Sequence, residues 1–314
     1  MHNLYICLMV LTITLNPSID ISIQVGHLIH EEKLRCEEYE KEVGGGGINV
    51  AKGLDRLGVK THAVFFAAGL NGKWIKEKLA DEKIQVTAIT SKGETRENIS
   101  IHDHLTKKQF RLINKGDGIT NKNQHELLNQ VMRIHPLPQY VVVSGSMPPG
   151  VSNTFMKKIN AWCGDIQARL VIDMPAAELI KCFKFNPFLI KPNLKEFLGI
   201  SNKKLRSPQA LMDEAKTWIH KGYARNISIS MGKNGGILVN ETESIFLIPP
   251  VVKVLSTVGA GDSMVAGLIY QLHRGSNLKD TLRLGLACGT ASTLQPGTKL
   301  FDPKEAWKLF NRIR

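Results

Sequence analysis

The sequence predicts an α/β fold: three layers, α/β/α, around a mostly parallel central sheet, with a small antiparallel β lid beside it. Two observations predict it. Short, continuous, β-branched apolar runs alternate with stretches of helical periodicity, as in a parallel sheet covered on both faces. Two further stretches, 21–43 and 95–113, alternate polar and apolar residues with no helix between, as in strands with one solvated face.

Residues 9–15 read as a buried first strand. The apolar run beginning at Leu4 lacks a basic leader and a small-residue cleavage site, and is too short to span a bilayer. The first eight residues read as an extension. Residues 47–57 form a helix, with Ile48, Ala51 and Leu54 at helical spacing. Strands follow at 63–67 and 86–89, flanking a helix at 74–80. The run 140–143 is a strand ending in Ser-Gly-Ser-Met-Pro-Pro-Gly. Further strands end at Asp173, at Lys191-Pro192-Asn193, and at Ser230 before Met-Gly-Lys-Asn-Gly-Gly. Residues 238–239 and 245–248 read as a hairpin. Residues 261–272 form a helix with Met264, Val265, Leu268, Ile269 and Leu272 on one face. With no repeat or linker in view, one domain over 1–314 with a discontinuous lid is the expected organisation.

Composition excludes several classes. Of 314 residues, 43% are hydrophobic and 22% charged, which is ordinary globular usage. The formal charge is +13, but the 41 Lys and Arg are scattered. With aromatics at 6%, that disfavours nucleic-acid binding and suits an anionic small substrate. The five cysteines are widely spaced without a CxxC pair, which fits a reducing compartment, the cytoplasm, rather than a disulfide framework. No membrane partner is expected.

The chemistry concentrates in five places. Thr257-Val258-Gly259-Ala260-Gly261-Asp262 leads into a helix, where main-chain amides and the helix dipole make an anion site and Asp262 is suited to take a proton. A plain Asp cap on a Gly-rich turn is the competing reading. Gly44-Gly45-Gly46-Gly47-Ile48-Asn49 opens another helix and reads as a cradle for hydroxyls or as a flexible loop; no Gly-Lys-Ser/Thr follows, so it is not a Walker A loop. Lys191, Asn193 and Glu196 sit at a strand end, where Asn193 and Glu196 are suited to Mg²⁺ through waters or to capping a helix. Asp20 is suited to orient a polyhydroxyl substrate. Lys33, Arg35 and Arg96, in the expected lid strands, are suited to clamp a phosphate.

Together these features resemble the ribokinase-like, or PfkB, family of carbohydrate kinases over about residues 11–300. The two motif stretches are 44–58 and 256–268. The opening Leu-Thr-Ile-Thr-Leu-Asn-Pro-Ser-Ile-Asp resembles the phosphosugar branch, as do 144–150 and 191–196. The resemblance implies a ribokinase-like three-layer fold and transfer of the γ-phosphoryl group of ATP to a phosphorylated hexose. It implies Asp262 as base and the amides of Gly259, Ala260 and Gly261 as anion hole. Asp20, Gly45, Gly46, Gly47 and Asn49 would hold sugar hydroxyls; Lys33, Arg96, Ser146 and Arg35 the sugar phosphate. Lys191, Asn193 and Glu196 would serve nucleotide phosphates and Mg²⁺, and Ser230, Gly232 and Gly235 the nucleotide site. Ser256, Val258, Gly297 and Lys299 would hold K⁺ through backbone oxygens.

Within that branch, 6-phosphofructokinase, 1-phosphofructokinase and tagatose-6-phosphate kinase compete. The last two typically show Gly-Gly-Lys-Gly where this chain has four glycines. Lys-Leu-Arg-Cys at 33–36 and the segment 289–300 look most like the minor-type bacterial 6-phosphofructokinases, so fructose 6-phosphate is the favoured substrate. A non-catalytic sugar- or nucleotide-binding regulator on the same fold would have no use for Asp262. A homodimer through the lid is expected. The chain departs from relatives at Asp173-Met174-Pro175-Ala176 and at Gln295-Pro296-Gly297-Thr298-Lys299.

Overall fold

In a computed structural model, which describes residues 9–314, the first strand β1 (Met9–Thr14) lies inside the main sheet, third from one edge, every residue buried. The expected extension at residues 1–8 lies outside the described residues. Two lid strands follow, β2 (Ser18–Val25) and β3 (Glu38–Gly44), then α1 (Gly46–Arg56), β4 (Lys60–Ala68), α2 (Gly69–Asp81) and β5 (Gln85–Ser91). The chain re-enters the lid as β6 (Arg96–Asp103) and β7 (Gln109–Ile113). It then alternates through α3 (Asn121–Val131), β8 (Tyr140–Ser144), α4 (Asn153–Asp165), β9 (Arg169–Asp173) and α5 (Ala176–Cys182). There follow β10 (Leu189–Ile190), α6 (Leu194–Ser201), α7 (Pro208–His220), β11 (Asn226–Ser230), and the hairpin β12 (Gly236–Val239) and β13 (Ser244–Leu247). Three helices close the chain: α8 (Ala260–His273), α9 (Leu278–Ser292) and α10 (Pro303–Arg312).

The nine-stranded sheet runs β13-β12-β11-β10-β9-β8-β1-β4-β5. Its strands all run the same way except β12, which pairs antiparallel with β11 and with the edge strand β13. Strand alternation sorts the core into layers. Leu11, Ile13, Val141, Val143, Leu170 and Ile172 pack toward α3, α4 and α7. Val10, Val142, Val171 and Leu189 pack on the other face against α8, α9 and α10. Full burial of each such side chain stabilises the fold by about 1.5–3 kcal/mol. This is why the strands read as unbroken apolar runs. α2 begins five residues before the expected 74, at Gly69.

The lid sheet, order β3-β2-β6-β7, corrects one expectation: it is mixed, not antiparallel. β2 and β6 pair in parallel, Ile21 beside Ile99, while the two outer pairs are antiparallel. Each excursion leaves the core and enters the lid in the same direction, with α1 through β5 intervening. Its first strands therefore run alike, and each returns by its own hairpin. The period of two places Asp20, Ser22, Arg96, Asn98 and Glu40 on one lid face, and Ile21, Ile23, Ile99, Ile101, Phe110 and Leu112 on the other.

Candidate active site

The site forms along the carboxyl ends of the parallel strands, where open α/β sheets bind ligands. The turn before α8 carries its centre. Gly259 takes the left-handed conformation (φ 75°) and no side chain caps the helix start, so the amides of the turn and first helical residues face outward with the dipole behind them. A Cβ added to Gly261 would lie 3.3 Å from Lys191 Nζ, so the turn sits directly over that ammonium group. Lys191 is buried at the end of β10 and pairs with Asp173, at the end of β9, at 3.0 Å. Burial works against the Lys191 charge, yet Asp173, Asp262 and Glu196 together hold its pKa above the ordinary lysine value.

Asp262 sits in the first turn of α8, where it feels the charge of Lys191. Loss of hydration and the nearby Asp173 push its carboxyl up to about 7, while a hydrogen bond from Asn49 and the charge of Lys191 pull the other way. Asn49 Nδ2 donates to Asp262 Oδ2 at 2.8 Å. Asn49 lies in the first turn of α1, whose N-cap Gly45 also offers no side-chain cap. The glycine loop and the Asp262 turn are therefore held against each other.

The glycine run is packed as well as pliant. A Cβ on Gly44 would fall 2.3 Å from Asp20 Oδ2, so only glycine lets β3 pass this close to that carboxylate. Asp20 Oδ1 accepts hydrogen bonds from Ser18 Oγ (2.8 Å) and Asn98 Nδ2 (2.9 Å), which leaves Oδ2 toward the loop. Arg96, at the start of β6, donates to the carbonyls of Asn114 (2.8 Å) and Asn16 (3.1 Å), and burial lowers its pKa. Asn16 also donates to Ser146 Oγ at 3.1 Å. Arg96, Asn16 and Ser146 line a cavity of about 490 Å³, together with Lys115 and Lys181.

Asn193 and Glu196 form a reciprocal capping box on α6: each backbone N–H bonds the other's side chain, at 2.8 and 2.9 Å. Such a cap stabilises a helix by about 0.5–2 kcal/mol. It occupies Oε2 of Glu196 and keeps Oε1 outside. Asn193 also bridges Ser230, which draws the 191–196 turn against the 230–235 turn carrying Gly232 and Gly235. Ser256 and Leu255 both bond the carbonyl of Thr293, so Ser256, Val258, Gly297 and Lys299 lie in two neighbouring loops. Lys299 Nζ reaches Glu40 of the lid at 2.9 Å.

Lys33 and Arg35 differ from expectation. They lie in the exposed loop between β2 and β3, not in lid strands, and neither lines the cavity around Arg96. Sequence reasoning also passed over Asp173, Asn98 and Asn16. Asp173 carried a readable signal, an acidic residue closing a parallel strand. Asn98 and Asn16 become visible only through the register that sets them beside Asp20 and Arg96.

A lidded parallel sheet, with a carboxylate at an uncapped helix start facing a glycine cradle, is the arrangement of a carbohydrate kinase. The chain belongs to the pfkB family of carbohydrate kinases, whose family model matches residues 13–305. It is 33% identical over 300 residues to ATP-dependent 6-phosphofructokinase isozyme 2 of Escherichia coli, covering 95% of this chain and 97% of that one. It is equally 33% identical to a 1-phosphofructokinase of Borreliella burgdorferi, covering 98% of both chains. It is 28% identical to a D-tagatose-1-phosphate kinase of Bacillus licheniformis, covering 92% and 94%. Crystal structures of E. coli phosphofructokinase-2, one in complex with substrates and products and one in complex with potassium, superpose with a TM-score of 0.91 at 33% identity, covering 97% and 99%. The chain is thus an ATP-dependent kinase of sugars or sugar phosphates.

Proposed function

We propose that the chain phosphorylates fructose 6-phosphate to fructose 1,6-bisphosphate, a glycolytic step. The observation that carries this reading is the cationic cavity around Arg96 and Ser146, which lies beside Asp20 and hence in reach of a substrate seated between Asp20, Asn49 and Asp262. A sugar with a phosphate at its far end fills both regions.

Asp20, the amides of Gly45, Gly46 and Gly47, and Asn49 orient the ring hydroxyls. Asp262 takes the proton of the C1 hydroxyl as that oxygen attacks the γ-phosphorus of ATP, the bond from the γ-phosphorus to the β-phosphate oxygen breaks and ADP leaves. The amides of Gly259, Ala260 and Gly261, with Lys191 beneath them, offset charge on the phosphoryl oxygens. The lid covers the sugar and excludes water. The donors suit the implied partners. Lys191 and the α8 start match nucleotide phosphates; the turn with Ser230, Gly232 and Gly235 matches the rest of the nucleotide. Glu196 keeps a carboxylate oxygen for a magnesium-bound water. Thr298 Oγ1, buried without a partner among the described residues, sits in the loop proposed for K⁺ beside the backbone of Ser256, Val258, Gly297 and Lys299. Mg²⁺ beside Asn193 and Glu196 would neutralise phosphate charge.

The exposed apolar lid face, with Phe110, Leu112 and Tyr39 uncovered, supports a homodimer through the lid. Leu112→Asp is expected to yield a monomer by light scattering; an unchanged oligomer would remove the lid as the interface. A cytoplasmic location fits the free cysteines Cys36, Cys163, Cys182 and Cys288.

A coupled ADP-release assay with fructose 6-phosphate, fructose 1-phosphate, tagatose 6-phosphate and tagatose 1-phosphate tests the reading, with the highest kcat/KM expected for fructose 6-phosphate. Preference for a 1-phosphate would overturn it. Arg96→Ala should raise KM for the phosphosugar and spare kcat.

A further inference from the structure

Another cavity, of about 450 Å³, lies at the opposite end of the main sheet from the active site. It opens at the amino ends of β9, β10 and β11, between the end of α4 and the turn 185–188. Arg169 and Arg225 line it, and no aspartate or glutamate does. We infer that this cavity is a binding site for a small phosphate-bearing anion, separate from the site of phosphoryl transfer.

Strand order sets the two arginines on either side of one anion-sized gap. Arg169 opens β9 and Arg225 immediately precedes β11, with Phe188 between them at the entry to β10. The Arg225 N–H donates to the carbonyl of Pro187 at 3.0 Å, and the Phe188 N–H to that of Leu170 at 2.8 Å, so the three segments enter the sheet level with one another. The arginines are thus two strand spacings apart, about 10 Å, a gap that their side chains span from both sides. Arg169 is held in place: its guanidinium lies over the rings of Tyr140 and Phe188, 5.4 and 4.9 Å from their centroids, and Nη1 donates to the Tyr140 hydroxyl at 2.5 Å. That bond uses one of its five N–H donors. Arg225 is exposed, and neither arginine belongs to an ion pair among the described residues. Lys184 adds a third positive charge beside the cavity, its ammonium 5.4 Å from the ring of Phe185.

The end of α4 does not account for these cations. Helix carboxyl ends attract positive charge through their open carbonyls. Here the carbonyls of Trp162, Cys163 and Gly164 already accept from the N–H groups of Ile166, Ala168 and Gln167. The guanidinium donors therefore remain for a ligand, and their fork matches phosphate oxygens in pairs. A phosphate monoester carries about −1.5 to −2 at neutral pH, which two arginines balance. Gln167 and Asn186 line the same cavity and offer neutral donors to the remaining oxygens. β9 runs from Arg169 to Asp173, about 13 Å, so an anion bound here touches none of the reacting groups.

The test titrates the full chain with inorganic phosphate, pyrophosphate and AMP, and follows backbone amide shifts in an isotope-labelled sample. Saturable shifts are expected at residues 167–169, 186, 188 and 225. Arg225→Ala should weaken the binding read at these amides about tenfold, and Arg225→Glu should abolish it. Both variants should melt with wild type, because the Arg225 side chain makes no hydrogen bond or ion pair among the described residues. AMP binding more tightly than pyrophosphate identifies the ligand as a nucleotide, with its base against Phe185; the reverse order identifies an inorganic or non-aromatic phosphate. Shifts confined to the Gly259–Asp262 turn and its surroundings, or an affinity at the 167–169 amides that Arg225→Glu leaves unchanged, would overturn the site. Neither result bears on the choice of sugar substrate, which the ADP-release assay decides separately.

Discussion

Asn49 donates its side-chain amide to Asp262 at 2.8 Å across 213 residues of sequence, and this single bond joins the start of α1 to the start of α8. It brings the glycine loop and the Asp262 turn into direct contact. It also stabilises the charged form of a carboxylate that its surroundings otherwise push toward the neutral form.

Asp262→Asn keeps that bond's acceptor and removes the base. A positioned general base is worth about 10²–10⁴ in rate, so kcat is expected to fall by about that factor while fructose 6-phosphate still binds. Single-turnover kinetics and equilibrium binding measure the two separately. Near-normal turnover would remove Asp262 as the base.

The pH profile follows from the same environment. With the Asp262 carboxyl pushed up to about 7, the ionised base is lost as pH falls through that value. The kcat/KM for the sugar phosphate should then drop about tenfold per pH unit below it. Asn49→Ala deletes a donor to the ionised form, so the acidic limb should move to higher pH. A limb that moved to lower pH, or stayed, would show that Asn49 does not tune this carboxylate.

Much of this centre was legible because its chemistry is local. The Thr257-to-Asp262 turn carries its small residues, its carboxylate and its helix in one stretch, and Gly44 to Asn49 does the same for the cradle. β1 was legible because six buried positions in a row leave no alternative to a covered strand. What stayed hidden depended on pairing between distant segments. The Asp173–Lys191 bond exists only because β9 and β10 are neighbours in parallel register. The lid's parallel β2–β6 pairing depends on the direction of two excursions from the core, which no local pattern encodes. Alternation located the lid segments but could not say that Lys33 and Arg35 fall in the loop between its strands. Glu196 showed the opposite limit. Its spacing from Asn193 signals a cap and a metal site equally well, and the capping box is what the structure displays.

Asp262 also makes a stability prediction. Its pKa is higher in the folded chain than the ordinary 3.8 of an unfolded aspartate, so the folded state binds the proton more tightly. Stability therefore declines as pH rises from about the unfolded value toward 7, where the folded carboxyl ionises. Asp262→Asn removes that penalty. The variant is expected to melt above wild type at pH 8, with the gap closing toward pH 4. A variant that melts below wild type at pH 8 would mean that the carboxylate contributes more through Lys191 and Asn49 than its burial costs.

Gly44→Ala probes the substrate side without touching the base. The new methyl group would fall 2.3 Å from Asp20 Oδ2, and the carboxylate is the group free to move. Turning it away breaks its bonds from Ser18 and Asn98 and displaces the acceptor meant for a sugar hydroxyl. A hydrogen bond to a charged group contributes about 1.5–3 kcal/mol, which corresponds to a loss of roughly 10- to 100-fold in kcat/KM for the sugar. KM for ATP should hold, because the atoms nearest the new methyl group all belong to Asp20 and none to Lys191 or the α8 start. The control is Asp20→Asn, which keeps the shape and drops the charge. If Gly44→Ala weakens ATP and sugar alike, the methyl group has shifted the whole start of α1, and Asn49 with it, rather than Asp20 alone.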